Sequence, residues 1–155
     1  MKVILVRHAI AEEKREDLDD IKRDLTKEGK EKFQKLIPDL IEKLAAQDKR
    51  EVILWSSPAN RAKQTAEIVA EGLQTDIHAI HDYIYEGDFE SLNNELESVD
   101  DGSTVIVVGH EPTLSEWTEQ MSDEEMEIKK GEMLCFRVTE LSPLQADLQW
   151  VVTAK

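Results

Sequence analysis

Three short apolar runs punctuate the chain, and each leads directly into a polar cluster. Val3-Ile4-Leu5-Val6 meets Arg7-His8-Ala9. Val52-Ile53-Leu54-Trp55 meets Ser56-Ser57-Pro58, with Arg61 just beyond, and Val105-Ile106-Val107-Val108 meets Gly109-His110. Runs this short, rich in β-branched residues and apolar on both faces, read as central strands of a parallel sheet. Between them the period changes. Phe33, Leu36, Ile37, Leu40, Ile41 and Leu44 recur at helical spacing, with Thr26 as an N-cap and Pro38 placed to kink or split the helix. After the second strand, Ser57 caps a helix, Pro58 suits its first position and Gly72 its end. Asp88 caps a helix carrying Phe89, Leu92, Leu96 and Val99 on one side. Pro112 starts another, with Leu114, Trp117 and Met121 toward the core. Residues 76–80 read as a short strand and 81–87 as a loop. Residues 133–139 and 145–151 read as two closing strands around a turn at Ser142-Pro143. Residues 11–22 are densely charged without a clear period and predict a long loop, often a functional one in a compact domain.

Strands alternating with helices predict an α/β fold: a single-domain three-layer sandwich with a mostly parallel central sheet and helices on both faces. With 155 residues, no repeats and no low-complexity tracts, one domain over residues 1–155 is the simplest account. Ligands of open α/β sheets bind beyond the carboxyl ends of the strands. If the three apolar strands are parallel neighbours, Arg7, His8, Arg61 and His110 meet at one edge. Two guanidiniums and two imidazoles there make an anion site that contains a nucleophile. Arg61 falls in the first turn of its helix, where a cation opposes the helix dipole. A local rule broken in this way marks a functional site.

Charge narrows the partners. Lys and Arg number 19 against 34 Asp and Glu, a net charge of -15. That argues against nucleic acid and anionic membrane, which both select basic surfaces. Residues 111–127 hold many carboxylates and no Lys or Arg, which reads as a solvated helix face and loop. No apolar run approaches the ~18 residues of a membrane span. The first strand begins at Lys2, leaving no room for a signal peptide. Cys135 is alone in the sequence, excludes an intrachain disulfide and reads as a core thiol. Together these predict a cytoplasmic protein. His78, His81 and His110 complete no ligand spacing with a carboxylate or thiol, so neither a metal nor another cofactor is expected.

The stretches LVRHA, SSPANRAKQTA and VVGHEP, in this order, resemble the histidine phosphatase superfamily, the RHG-motif or phosphoglycerate-mutase-like proteins. The short length and Arg23-Asp24-Leu25-Thr26-Lys27-Glu28-Gly29 resemble its SixA-type phosphohistidine phosphatase branch. Ala9 stands where the superfamily motif has Gly. The resemblance implies a metal-independent phosphatase acting on a phosphorylated protein through a phospho-His8 intermediate, with Arg7, Arg61 and His110 around the phosphoryl group. It makes Arg23 a basic residue of a loop folding over the phosphate pocket. It also puts the proton donor near Glu86 and Asp88. Glu86 is the better acid candidate, because Asp88 reads first as a helix cap; Glu111 is a third candidate that also suits a helix start.

The residue chemistry agrees with this. Arg7 and Arg61 supply planar donor pairs suited to phosphoryl oxygens. His8 attacks only as neutral imidazole, and the arginines beside it are expected to lower its pKa. An alkoxide leaving group needs strong protonation, whereas a phosphohistidine releases imidazole, which can leave already protonated. Two alternatives stay open: a small-molecule phosphomonoesterase or phosphoglycerate-mutase-like enzyme, and a non-catalytic phosphate-binding or interaction protein. The sequence mark of the latter would be loss of His8 or Arg7, and both are present. The physiological substrate and the oligomeric state stay open at this level.

Overall fold

The computed structural model describes residues 1–46 and 51–154. Among these, six strands form one sheet: β1 (Lys2–Arg7), β2 (Val52–Ser56), β3 (Ala79–Ile80), β4 (Thr104–Gly109), β5 (Met133–Leu141) and β6 (Leu144–Val152). Their order across the sheet is β3-β2-β4-β1-β5-β6. The first four strands run parallel, and β5 and β6 extend the sheet antiparallel beyond β1. The helices are α1 (Lys27–Gln34), α2 (Ile37–Ala45), α3 (Asn60–Leu73), α4 (Asp82–Glu86), α5 (Phe89–Glu97) and α6 (Thr113–Ser122).

Strand pleating sorts the core into two layers. Ile4, Val6, Leu54, Ile106 and Val108 face α1, α2 and α3, meeting Phe33, Leu40, Ala66 and Val69; Cys135 is buried in this layer. Val3, Leu5, Trp55, Val105 and Val107 face α4, α5 and α6, meeting Ile84, Leu92, Leu96, Leu114 and Trp117. Each large aliphatic side chain withdrawn from water contributes roughly 1.5–3 kcal/mol. Helices on both faces of a mostly parallel sheet give the three-layer α/β sandwich expected from the strand pattern.

Some local expectations change. Pro38 sits in the first turn of α2, so the predicted long helix is split into α1 and α2 rather than kinked. Ile41 lies on the helical stripe but is exposed. Gly72 is inside α3, which ends at Leu73 with Gln74 in the left-handed region. Gly72 is small because α2 crosses there: a Cβ would run into the Ile37 side chain. Residues 81–87 contain the short helix α4 and not only a loop, with Gly87 at φ 80° ending it. Residues 11–22 are mostly irregular, as expected, apart from a bridge between Ala11 and Leu25 and one 3-10 turn, Asp20–Lys22.

Candidate active site

The sheet brings three strand ends together. β4 lies between β1 and β2, with Arg7 in register with Gly109 and Ser56 with Val108. The chain beyond each strand stays tied to β4: His8 N donates to Gly109 O (3.0 Å) and Ser57 N to Val108 O (3.0 Å). Ala9 N donates to Thr65 Oγ1 (3.1 Å), whose hydroxyl donates to Arg61 O (2.7 Å). Thr65 therefore couples the turn after His8 to the first turn of α3. Gly29 lets α1 close on the same turn, because a Cβ there would collide with the Ile10 carbonyl.

His8 is buried, and its Nδ1 lies 2.7 Å from the Ala9 carbonyl. A carbonyl only accepts, so Nδ1 carries the hydrogen and Nε2 keeps its lone pair. Burial is the main cause that lowers the His8 pKa from 6.5 to about 4. The bond to Ala9 opposes the shift, and Arg61, Arg7 and Arg23 add to it. The expected low pKa is thus found, but desolvation leads and the arginines come second. The His110 ring is 5.3 Å from that of His8 and is buried too. Its pKa falls to about 3, first through burial and then through His8 and Arg61. Its Nε2 is 2.6 Å from Ser57 Oγ, which accepts from Ala59 N (3.2 Å), while Nδ1 is buried without a partner.

The guanidiniums are held from outside the site. Arg7 Nη1 donates to Ile128 O (2.7 Å), and Arg61 Nη1 donates to Asp20 O (2.8 Å). The Asp20 carboxylate bridges the arginines: Oδ2 accepts from Arg61 Nη2 and Oδ1 from Arg23 Nε, both at 2.9 Å. Tyr85 OH donates to Oδ2 (2.8 Å), and its ring stands edge-on to His110. Burial alone would raise the Asp20 pKa. The Tyr85 bond and the charges of Arg61 and Arg23 outweigh it and hold the carboxyl at about 2. Arg7 Nε and Arg61 Nε are buried with no partner. Buried donors without partners are costly, and an anion would satisfy them.

These groups open into a cavity of about 350 Å³ lined by Arg7, His8, Arg23, Arg61 and His110. Lys14 and Lys130 add positive charge, and Glu12, Glu13 and Glu111 bring carboxylates. Six of the sequence candidates, Arg7, His8, Arg23, Arg61, His110 and Glu111, are thus gathered in one place. Glu86 is not among the lining residues: it is exposed at the end of α4. Asp88 spends its carboxylate on Ser91 as the cap of α5. Glu111 lines the cavity and accepts from both the backbone and the hydroxyl of Ser115. Ser57 does not cap α3, whose N-cap is Ala59 without a side-chain bond; its hydroxyl serves His110 instead. Thr65 and Gln64 tie the loops: Thr65 Oγ1 accepts from Ala9 N, and Gln64 Oε1 accepts from Leu25 N (2.7 Å). Asp20 and Tyr85 had no sequence signal, because one sits in a run of charges and the other in a segment without period. Among the described residues, no group of three or more His, Cys, Asp or Glu is placed to hold a metal ion.

Residues 3–97 match the family model of the histidine phosphatase superfamily, branch 1. The chain belongs to that superfamily. It is a hydrolase of the histidine phosphatase type, and its sandwich is the fold of solved relatives. The protein histidine phosphatase SixA complexed with tungstate is 19% identical, with a TM-score of 0.81 over 99% of this chain and 97% of that one. A protein from Nakamurella multipartitia assigned as a phosphohistidine phosphatase SixA is 23% identical, with a TM-score of 0.77 over 99% and 95%. A mycobacterial glucosyl-3-phosphoglycerate phosphatase is 9% identical, with a TM-score of 0.72 over 96% of each chain. At these identities the likeness to the three structures is one of fold. No curated protein matches this chain in sequence. No helix among the described residues is long and apolar enough to cross a membrane.

Proposed function

We propose that this histidine phosphatase is a cytoplasmic phosphohistidine phosphatase that removes the phosphoryl group from a phosphorylated protein. The observation that carries the reading is His8: Nδ1 is committed to the Ala9 carbonyl, its pKa is near 4, and three arginines share its cavity. In the first step the Nε2 lone pair attacks phosphorus. The bond from phosphorus to the substrate imidazole breaks, and that imidazole leaves as a neutral ring, its proton already in place on the other nitrogen. Arg7, Arg61 and Arg23 neutralise the three phosphoryl oxygens, the main contribution in phosphoryl transfer. His110 donates to one of them through Nδ1, with Nε2 accepting from the Ser57 hydroxyl. In the second step water attacks phospho-His8, releasing inorganic phosphate and neutral His8.

The cavity carboxylates favour this substrate class. Glu12 and Glu111 are engaged in hydrogen bonds, and Glu13 is exposed. A loosely placed acid serves an imidazole leaving group and serves an alkoxide poorly. A hydrolysis panel tests the reading: phosphohistidine protein, phosphoramidate, phosphoserine, phosphotyrosine and sugar phosphates. The P–N substrates should lead, and His8→Ala should abolish turnover of all. A clear preference for sugar phosphates would replace this reading with that of a small-molecule phosphomonoesterase.

A further inference from the structure

A second cavity, of about 510 Å³, adjoins the first and shares Arg7 and Lys130 with it. Its floor is apolar, formed by Ala9, Phe33 and Leu36. Its rim carries Lys32, Lys129 and Lys130 against one carboxylate, Glu127. On a chain of net charge -15 this is a local reversal of sign. Lys32 makes an exposed pair with Glu28. The Lys129 and Lys130 ammoniums enter no ion pair among the described residues.

The wall between the two cavities is one strap. Gly131 N donates to the carbonyls of Arg7 and His8, both at 3.1 Å, and Ile128 O holds Arg7 Nη1. Gly131 has φ 81°, and a Cβ there would press on the Phe33 ring at 3.3 Å. Glycine at this position therefore allows the left-handed turn and keeps the floor open. Whatever fills the second cavity lies against the backbone that positions Arg7 and His8.

We propose that this groove binds the chain flanking the phosphorylated residue of a protein substrate, with an apolar side chain on the floor and an acidic one at the lysine rim. The inference rests on the protein-substrate reading above and adds what the substrate must carry. The two cavities together exceed what a phosphoryl group needs. An apolar floor has no use for a hydrophilic sugar phosphate but suits a Leu-like side chain. The lysines offset the repulsion that a net-negative enzyme exerts on an acidic partner.

The test compares phosphohistidine peptides of one length. One is flanked on both sides by Leu and Glu, the other by Ala and Lys, and phosphoramidate serves as a flank-free control. Wild type should prefer the Leu/Glu peptide by about tenfold in kcat/KM, carried by KM and weakened by salt. Two variants outside the phosphate cavity should lose that preference: the pair Lys32→Glu with Lys129→Glu, and Thr153→Trp, which fills the groove from an exposed position. Phosphoramidate turnover should stay unchanged in both and reports that they fold. Equal rates on the two peptides in wild type, or a preference that survives in both variants, would overturn the proposal. If only phosphoserine or phosphotyrosine versions are turned over, the same ratio is read on them, and the phosphohistidine reading alone falls. If no peptide is a substrate, or the lysine variant changes only self-association, the groove does not serve a protein substrate.

Discussion

The ionisation of His8 makes the most quantitative prediction. A nucleophilic imidazole must be neutral, and burial with Arg61, Arg7 and Arg23 puts its pKa near 4 instead of 6.5. At pH 5, about nine-tenths of His8 is then neutral, against about 3% for an ordinary histidine, a difference of roughly 30-fold. The kcat/KM profile reports the free enzyme. Its acid limb should fall with an apparent pKa near 4, once the phosphoryl ionisation of the substrate has been titrated separately and divided out. An independent reading is the His8 ring-proton NMR resonance, assigned by its loss in His8→Gln and followed from pH 8 to 3.5. A midpoint near 6.5 in either measurement would refute the argument from burial and charge.

The same shift predicts how stability depends on pH. The folded-state pKa values of His8 and His110 lie below that of an unfolded histidine. The unfolded chain therefore binds more protons, and stability is full above pH 6.5 and falls as pH drops toward 4. At pH 5 each buried imidazole costs the folded state about 2 kcal/mol, so the two together cost about 4. That is a large share of the ~5–15 kcal/mol typical of a domain. Asp20, held at about 2 against an ordinary 3.8, contributes stability that is lost only as pH falls through about 4 and below, so it adds little to the loss at pH 5. Urea unfolding at pH 7.5 and pH 5 should show the drop, and replacing both histidines with Gln should remove most of it.

Removing Asp20 frees Arg61 and Arg23 at once: Asp20→Ala should lower kcat/KM for phosphoramidate by on the order of 10- to 100-fold, and a rate within twofold of wild type would show that the arginines hold themselves. Arg61→Ala should cost on the order of 100-fold or more, in both rate and inhibition by inorganic phosphate, the product. Glu111→Gln should slow phosphomonoester hydrolysis far more than phosphohistidine hydrolysis, and Glu86→Gln should change neither; selective loss in Glu86→Gln instead would return the donor role to α4. Because arginines supply the charge, turnover should be unchanged by a chelator; loss in EDTA restored by a divalent ion would contradict this.

The sheet and most of the site were legible because they rest on local patterns. Apolar runs ending in Arg7-His8, Ser57 and Gly109-His110 show both the strands and the edge where they meet. What was not legible depends on contacts across the chain. Asp20 becomes a partner of Arg61 only when a loop 41 positions upstream folds over α3. Glu86 looked close to the site because it precedes the Asp88 cap, but α4 turns its last residue outward. Helix α4 itself was missed because five residues are too few to show a 3.6-residue period. Ser57 was read as a cap from its type and position. The structure gives its hydroxyl to His110, a choice set by β2 and β4 lying side by side.

Arg61 is where local cost and site chemistry meet. The first turn of α3 holds a buried cation, and its N-cap Ala59 offers no side-chain oxygen. Taken alone, that turn is unfavourable for the helix dipole and leaves amides without a capping group. The loop supplies what the helix lacks: Asp20 faces Arg61 with a carboxylate, and Ser57 Oγ accepts from Ala59 N. Both partners have a second task, Asp20 on Arg23 and Ser57 on His110. The helix start is therefore stabilised by the same groups that orient the anion donors. A substitution that improves the cap, such as Ala59→Ser, should stabilise α3 little, because the Ala62 amide that a serine hydroxyl would accept from already donates to Ala59 O (3.0 Å) and the side chain at 59 is fully buried. If Ala59→Ser raised the melting temperature by several degrees without loss of activity, the first turn of α3 would be strained independently of the site, and the coupling between cap and chemistry would not hold.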